Sequence, residues 1–307
     1  MYPFTNLREL IRYFNNEQIC REYLEQKRWN GTPTCPHCAC RKVYKLTKTK
    51  AYRCSNKDCK KTFNALTRTI FENSNIPLSS WYIAIYLHTA HKKGISSYQL
   101  SKDIGVTQKT AWFILQRIRY AMKEKGFLPS MGGIVEVDET FVGGKNKNRH
   151  WDKKVKNSQG RSFKDKTPVL GILQRNSNIR CIVIPDTKAE TIQPIVADSV
   201  EMGSTLMTDE WKAYKGLDVI YNHQIVDHGR GQYVNGECYT NGIENFWSIL
   251  KRGIIGIYHK TTRKHLQLYC DEFTYRYNNR KLTDSERFHL SISQVEGRLK
   301  YKDLIAA

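Results

Sequence analysis

This 307-residue sequence predicts a mixed α/β protein, with two small amino-terminal modules ahead of one larger sheet domain. Three observations carry the prediction: paired cysteines between positions 35 and 59, a helical periodicity from Leu78 to Met122, and alternating strand-like and helix-like segments after Pro129. Composition narrows the class further. Lys and Arg number 50 against 29 Asp and Glu, a formal charge of +21, in a chain that is 40% hydrophobic. Such a balance describes a folded protein that meets a polyanion, with nucleic acid the first expectation, and excludes a disordered tail. Arg8 and Glu9 interrupt the first apolar stretch and no apolar run approaches membrane-spanning length. Neither a signal peptide nor a membrane partner is expected, and the predicted location is the cytoplasm.

Residues 1–30 read as a helical segment and residues 31–72 as a metal-bound ribbon. Cys35-Pro-His-Cys38 is followed after fifteen residues by Cys54-Ser-Asn-Lys-Asp-Cys59. Two short knuckles on hairpin-like segments suit one structural Zn²⁺, which needs four thiolates brought together by two tight turns. Scattered core cysteines would not explain two pairs flanked by Gly, Pro, Lys and Asn. His37 and Cys40 lie near enough to substitute, but four thiolates complete the site without them. Cys20, Cys181, Cys238 and Cys270 read as ordinary thiols.

Residues 76–128 read as a helix-turn-helix domain. Trp81, Ile85 and Leu87 lie in one helix, residues 97–104 form a second, Gly105-Val-Thr107 turns, and Gln108 opens a third that runs to Met122. Thr107 is its N-cap, and Gln108, Lys109 and Thr110 in the first turn would read bases. A plain three-helix bundle with a solvated polar face is the competing interpretation; overall basicity favours DNA contact.

Residues 132–282 change texture from helix to strand. Val135, Val137 and Phe141 alternate with Glu136 and Asp138, so a strand over 133–142 carries acids on one face. Apolar runs at 168–173 and 179–184 give two more strands. A helix (188–201), a strand (204–208) ending at Asp209, a short helix (210–215), a strand near 217–221 and a helix around Glu244 complete the order. That order is the one of a ribonuclease H-like fold. In the last helix Ile243, Trp247 and Leu250 recur at helical spacing, leaving Glu244, Ser248 and Lys251 on another face.

Asp138, Asp209 and Glu244 thus fall where two strands and a helix would bring three carboxylates onto two divalent cations, Mg²⁺ or Mn²⁺. Such a pair activates a water or 3′-hydroxyl for in-line attack on phosphorus, and no nucleophilic side chain is needed. Lys251 would neutralise the adjacent phosphate and Arg252 extend that charge. A single acid is by default a solvated one; three at these positions favour catalysis. Between the first two strands, the basic insertion 143–167 carries nine Lys or Arg over residues 143–166, among them Lys145, Lys147, Arg149, Lys153, Lys154 and Lys156. Beside a metal site, phosphate contact is the better reading than a merely solvated loop. Residues 264–281 read as an amphipathic helix rich in Tyr and Arg, packed under the Glu244 helix, and 283–307 as a tail.

At Cys-Pro-His-Cys, at residues 137–145, 208–214, 240–253, 256–260 and 271–280, the chain closely resembles the DDE transposases of bacterial insertion sequences, in the zinc-ribbon branch related to the eukaryotic Merlin elements. The resemblance spans nearly the whole chain. It implies that Asp138, Asp209 and Glu244 are the metal-binding triad with Lys251 as basic companion. It further implies terminal inverted repeats and target DNA as double-stranded partners, and assembly as a homodimer or larger complex to hold two ends together. Tyr239 departs from the pattern, since relatives often carry His there. Asn as third active-site residue in some relatives leaves Asn241 as a substitute or assistant for Glu244. Two readings compete: a non-catalytic DNA-binding protein or repressor, and a hydrolytic nuclease of the same fold.

Overall fold

A computed structural model describes residues 3–123, 129–143, 150–156, 166–226 and 239–306. Lys145, Lys147, Arg149 and Cys238 lie outside them. The chain divides into two units, residues 1–122 with 281–307, and residues 123–280.

The first unit is helical around a small sheet. α1 (Leu7–Tyr13) and α2 (Glu17–Trp29) each begin at an Asn whose side chain accepts a backbone N–H of the first turn, Asn6 from Glu9 and Asn16 from Ile19. β1 (Val43–Leu46), β2 (Ala51–Cys54) and β3 (Thr62–Phe63) form an antiparallel sheet in that order. α3 (Leu78–Ala90) is buried on most sides, as its apolar composition requires. Its Tyr82 hydroxyl donates to the Cys20 carbonyl at 2.8 Å. α4 (Ser97–Asp103) and α5 (Gln108–Met122) follow.

Residues 283–307, expected as a tail, instead complete this unit. α9 (Asp284–Ser293) opens with a capping box between Thr283 and Glu286, and α10 (Tyr301–Ile305) follows. Phe288 of α9 is fully buried, with ring centroids 5.3–5.9 Å from those of Phe4, Phe14 and Tyr82. The burial of one such side chain supplies about 1.5–3 kcal/mol, and Ile292 of the same helix is fully buried too.

His289, beside Phe288, is buried against the Tyr23 hydroxyl. Burial, with Lys27 nearby, lowers its pKa to about 4. The unfolded imidazole binds a proton that the folded one refuses, so stability is full above the unfolded value and falls as pH drops toward the folded one. The denaturant midpoint of the chain should therefore decline between about pH 7 and about pH 5, and His289→Phe should reduce that decline. A midpoint that does not change over this interval contradicts the assignment.

The second unit holds a five-stranded sheet. β4 (Ile134–Gly143) is central, antiparallel to β5 (Lys166–Gln174), which is antiparallel to β6 (Ile179–Val183). On its other side β4 runs parallel to β7 (Thr205–Asp209), and β7 parallel to β8 (Asn222–Val226). α6 (Ala189–Ser199) covers one face, where Val135, Val137, Leu170 and Ile172 meet Ile192 and Val196. α7 (Asn241–Gly253) and α8 (Leu266–Asn278) cover the other, with Val169, Leu173, Phe246, Trp247, Leu250 and Phe273 in that core. A sheet covered on both faces needs the near-continuous apolar β5 seen here.

The strand expected near 217–221 is displaced. Tyr214, Leu217 and Tyr221 are all buried at helical spacing, so Leu217–Val219 is a 3₁₀ turn and the strand begins at Asn222. The strand itself, Asn-His-Gln-Ile-Val, is a polar sheet edge in which only Val226 is fully buried.

Candidate functional site

β4 and β7 run side by side, pairing Glu136 with Met207; continuing the register by two residues brings Asp138, in the middle of β4, level with Asp209, the last residue of β7. Asp138 stands on the α7 side of β4, because Val135 and Val137 take the α6 side. Asp209 is buried and accepts the Trp211 backbone N–H at 3.0 Å. Glu244, in the first turn of α7, is exposed.

Ligand oxygens of the three carboxylates do not all lie within 4.8 Å of one another, but the Asp209 and Glu244 charges both reach Asp138. Burial, then the Asp209 charge, push the Asp138 carboxyl up to about 6; a bond from Trp247 and the Glu139 backbone oppose the rise, and Glu244 adds to it. Lys251, two turns after Glu244, has its ammonium shifted down by desolvation while Asp138 holds it up. Asp138, whose charge burial, Asp209 and Glu244 all disfavour, and its two carboxylate neighbours offer the hard oxygen donors that Mg²⁺ or Mn²⁺ takes. Arg252 is exposed and donates to the Ser248 carbonyl at 3.1 Å.

The elements are anchored by groups that sequence reasoning did not single out. Glu136, fully buried, accepts from Arg175 Nε at 2.9 Å and from the Ile243 amide at 2.9 Å, so its carboxylate serves an otherwise unpaired donor at the start of α7. Gly242 has no Cβ because one would lie 2.8 Å from Glu136 Oε2. Arg175 also donates to the Tyr239 carbonyl at 2.8 Å and lies 3.6 Å from the centre of the Tyr239 ring. Tyr239, the departure noted in the sequence, is thus a stacking partner. Removing Arg175 leaves Glu136 as a buried charge without its cation, so Arg175→Met should cost about 3–5 kcal/mol of stability. A denaturant midpoint equal to that of the parent protein would refute this.

The Trp247 indole donates to Asp138 Oδ2 at 2.9 Å. On the opposite side of β4 the buried Tyr214 hydroxyl bonds the Glu139 carboxylate.

In the first unit the four cysteines converge. Their sulfurs all lie within 4.8 Å of one another, with Cys35–Cys59 at 3.8 Å and Cys38–Cys54 at 3.5 Å. Tetrahedral zinc with bonds of about 2.3 Å places its sulfurs about 3.8 Å apart, so the cluster fits. Burial and the neighbouring thiols push Cys54 up to about 12, the environment in which only a bound cation keeps thiolates charged. Cys40 instead faces the Lys42 carbonyl, and among the described residues no other Cys, His, Asp or Glu group brings three ligand atoms this close.

α5 presents less to solvent than a base-reading helix would. Gln116, Arg117 and Arg119 are buried, Arg117 donating to the carbonyls of Ile70, Glu72 and Leu299. In its first turn Lys109 is exposed and Gln108 and Thr110 are half-buried. There Gln108 donates to Ser97 Oγ at 2.8 Å, Lys109 lies 5.2 Å from the Tyr301 ring centre, and the Thr110 amide donates to Thr107 Oγ1 at 3.3 Å. Lys153, Lys154 and Lys156 are exposed. Among the described residues no helix is long and apolar enough to cross a membrane.

Residues 130–278 match the ISXO2-like transposase domain, and residues 15–62 the transposase zinc-ribbon domain. An uncharacterized protein in transposable element ISH50 of Halobacterium salinarum is 31% identical over 252 residues, 79% of this chain and 84% of that protein. An uncharacterized transposase-like protein of Haemophilus influenzae is 30% identical over 102 residues, 33% of this chain and 81% of that protein. Among solved structures, the Mos1 strand transfer complex aligns at 12% identity over 68% of this chain and 76% of the Mos1 chain, with a TM-score of 0.20. On the two domain matches and the relative aligned over 84% of its length, the chain belongs to the ISXO2-like transposases of insertion sequences.

Proposed function

We propose that the protein is an active DNA transposase that binds the terminal inverted repeats of its element, cleaves the ends, and joins the freed 3′-hydroxyls to target DNA. The observation that carries this is the placement of Asp138 level with Asp209 on neighbouring parallel strands, with Glu244 and Lys251 on the helix that covers that face and with the Asp209 and Glu244 charges felt at Asp138. The sheet, three antiparallel strands continued by two parallel ones with helices on both faces, agrees with a ribonuclease H-like catalytic domain. α4, the Gly105 turn and α5 agree with a helix-turn-helix, with Gln108, Lys109 and Thr110 at the accessible end of the second helix.

Asp138, Asp209 and Glu244 would hold two Mg²⁺ or Mn²⁺, which when bound activate the attacking oxygen and stabilise the leaving one. Lys251 offers a cation to the phosphate beside them, and its lowered affinity for a proton reflects a partly desolvated amine ready to receive that anion. Glu136 and Arg175 keep α7 seated on β4. Two DNA ends must be joined in one event, so the working species is a homodimer or larger.

Incubating the protein with a duplex carrying the element's end and Mg²⁺ tests the reading. Strand breakage at the element boundary is expected; specific binding with no breakage would favour a DNA-binding protein without catalysis. Phosphate contact by the basic insertion has its own signature. Neutralising Lys153, Lys154 and Lys156 should weaken binding to terminal-repeat and random DNA alike, and reduce the slope of log affinity against log salt by about 0.9 per lost contact. Selective loss of sequence preference at unchanged slope would exchange the roles of the insertion and α5.

A further inference from the structure

We propose that Trp247 is a positioning residue for Asp138, and that the glycine at position 171 makes room for it. The inference rests on the reading of Asp138 as a metal ligand and deepens it. Gly171 is the cross-strand partner of Asp138 in the β4–β5 pair. A Cβ at Gly171 would lie 2.6 Å from Trp247 Cζ2 and 2.8 Å from Ile243 Cδ1. The indole therefore fills the space that a side chain opposite Asp138 would occupy. From there Nε1 donates to Asp138 Oδ2 at 2.9 Å. Trp247 is 4% exposed, so little water competes for that bond.

Packing alone does not call for this arrangement. A phenyl ring would fill most of the same space, and a buried indole N–H is satisfied by any backbone carbonyl. Here the acceptor is the carboxylate. Each carboxylate oxygen has two lone-pair sites, so a bond from the indole fixes the direction of the group without using up its capacity as a ligand. Trp247 also sits one turn after Glu244 on α7. Glu136, two residues before Asp138 on β4, holds the Ile243 amide just before Glu244. α7 is thereby tied to β4 at Ile243 and at Trp247, on either side of Glu244, and the two ties fix the helix-borne carboxylate relative to the strand-borne one. Outer partners of metal-ligating carboxylates act in this way, and losing one costs about 10–100-fold in metal affinity or activity.

The test uses the zinc-loaded full-length chain without DNA, titrated with Mn²⁺ in a calorimeter, beside its thermal midpoint and its cleavage rate. Trp247→Phe, which keeps a ring and removes the donor, should bind Mn²⁺ about tenfold more weakly. Its midpoint should stay close to that of the parent, and its cleavage should recover in part at raised Mn²⁺. Gly171→Ala, which pushes the intact indole from the other side, should weaken Mn²⁺ binding likewise. Parent-like Mn²⁺ affinity in Trp247→Phe, with or without a lowered midpoint, overturns the positioning role. If Asp138→Ala at the same time abolishes cleavage, the ligand reading stands without it. Asp138→Ala that binds Mn²⁺ and cleaves like the parent overturns the reading beneath, and the inference with it.

Discussion

Alanine at Asp138, Asp209 or Glu244 is expected to reduce cleavage and joining by about a thousandfold or more while leaving binding to the element's ends nearly intact. The size follows from the several kcal/mol of charge stabilisation that a bound divalent cation supplies in phosphoryl transfer, at one factor of ten per 1.4 kcal/mol or so. The separation from binding follows from the architecture. All three carboxylates belong to the unit of residues 123–280, whereas the ribbon, α4 and α5 belong to the other. Lys251→Ala should be milder, because the carboxylates remain. A rate assay on a nicked or intact end, paired with a gel-shift on the same duplex, checks both halves. An Asp138→Ala protein that still nicks at the boundary would sink the assignment of the triad.

Loss of the ribbon metal is the other large effect. Structural zinc binding in small domains is worth about 10–16 kcal/mol at neutral pH, and three short strands cannot replace it. Cys35→Ser, Cys54→Ser or chelation should therefore unfold the ribbon, seen as loss of one zinc per chain and loss of protection in residues 35–63. Specific end binding should weaken with it. The apolar support under the site, Tyr52, Phe63 and Trp29 in mutual contact, is too small to hold four facing thiols together unaided. Protein purified without zinc, but with unchanged affinity for its ends, would argue against the role.

The cysteine cluster and the strand that carries Asp138 were legible because each is written in local signals. Cysteine pairs with two and four residues between their members declare a ribbon; acids alternating with valines declare which strand face they share. What was illegible depends on partners far along the chain. Glu136 looked like one more acid of the strand, yet it is bound by an arginine 39 positions away and by the amide of a residue 107 positions away. Trp247 looked like core at helical spacing. It is core, but its indole N–H serves a carboxylate, a fact carried by Gly171 on another strand. Nothing local marks Arg117 and Arg119 as buried, with Arg117 binding backbone carbonyls distant in sequence. β8 was misplaced by five residues because an edge strand has little apolar alternation to show. The carboxyl-terminal helix could have been found: Thr283 followed three residues later by Glu286 is a capping signal, overlooked beside the stronger motifs upstream.

The central claim is that Asp138, Asp209 and Glu244 form a working site for DNA strand transfer. Its most direct test supplies duplex ends already cleaved to expose the 3′-hydroxyl, a supercoiled target and Mg²⁺, and measures covalent joining. The account predicts joined products with the parent protein, none with Asp138→Ala, and none when Mg²⁺ is withheld. Ends that are bound but never joined by the parent protein, or joining that survives Asp138→Ala, would contradict it.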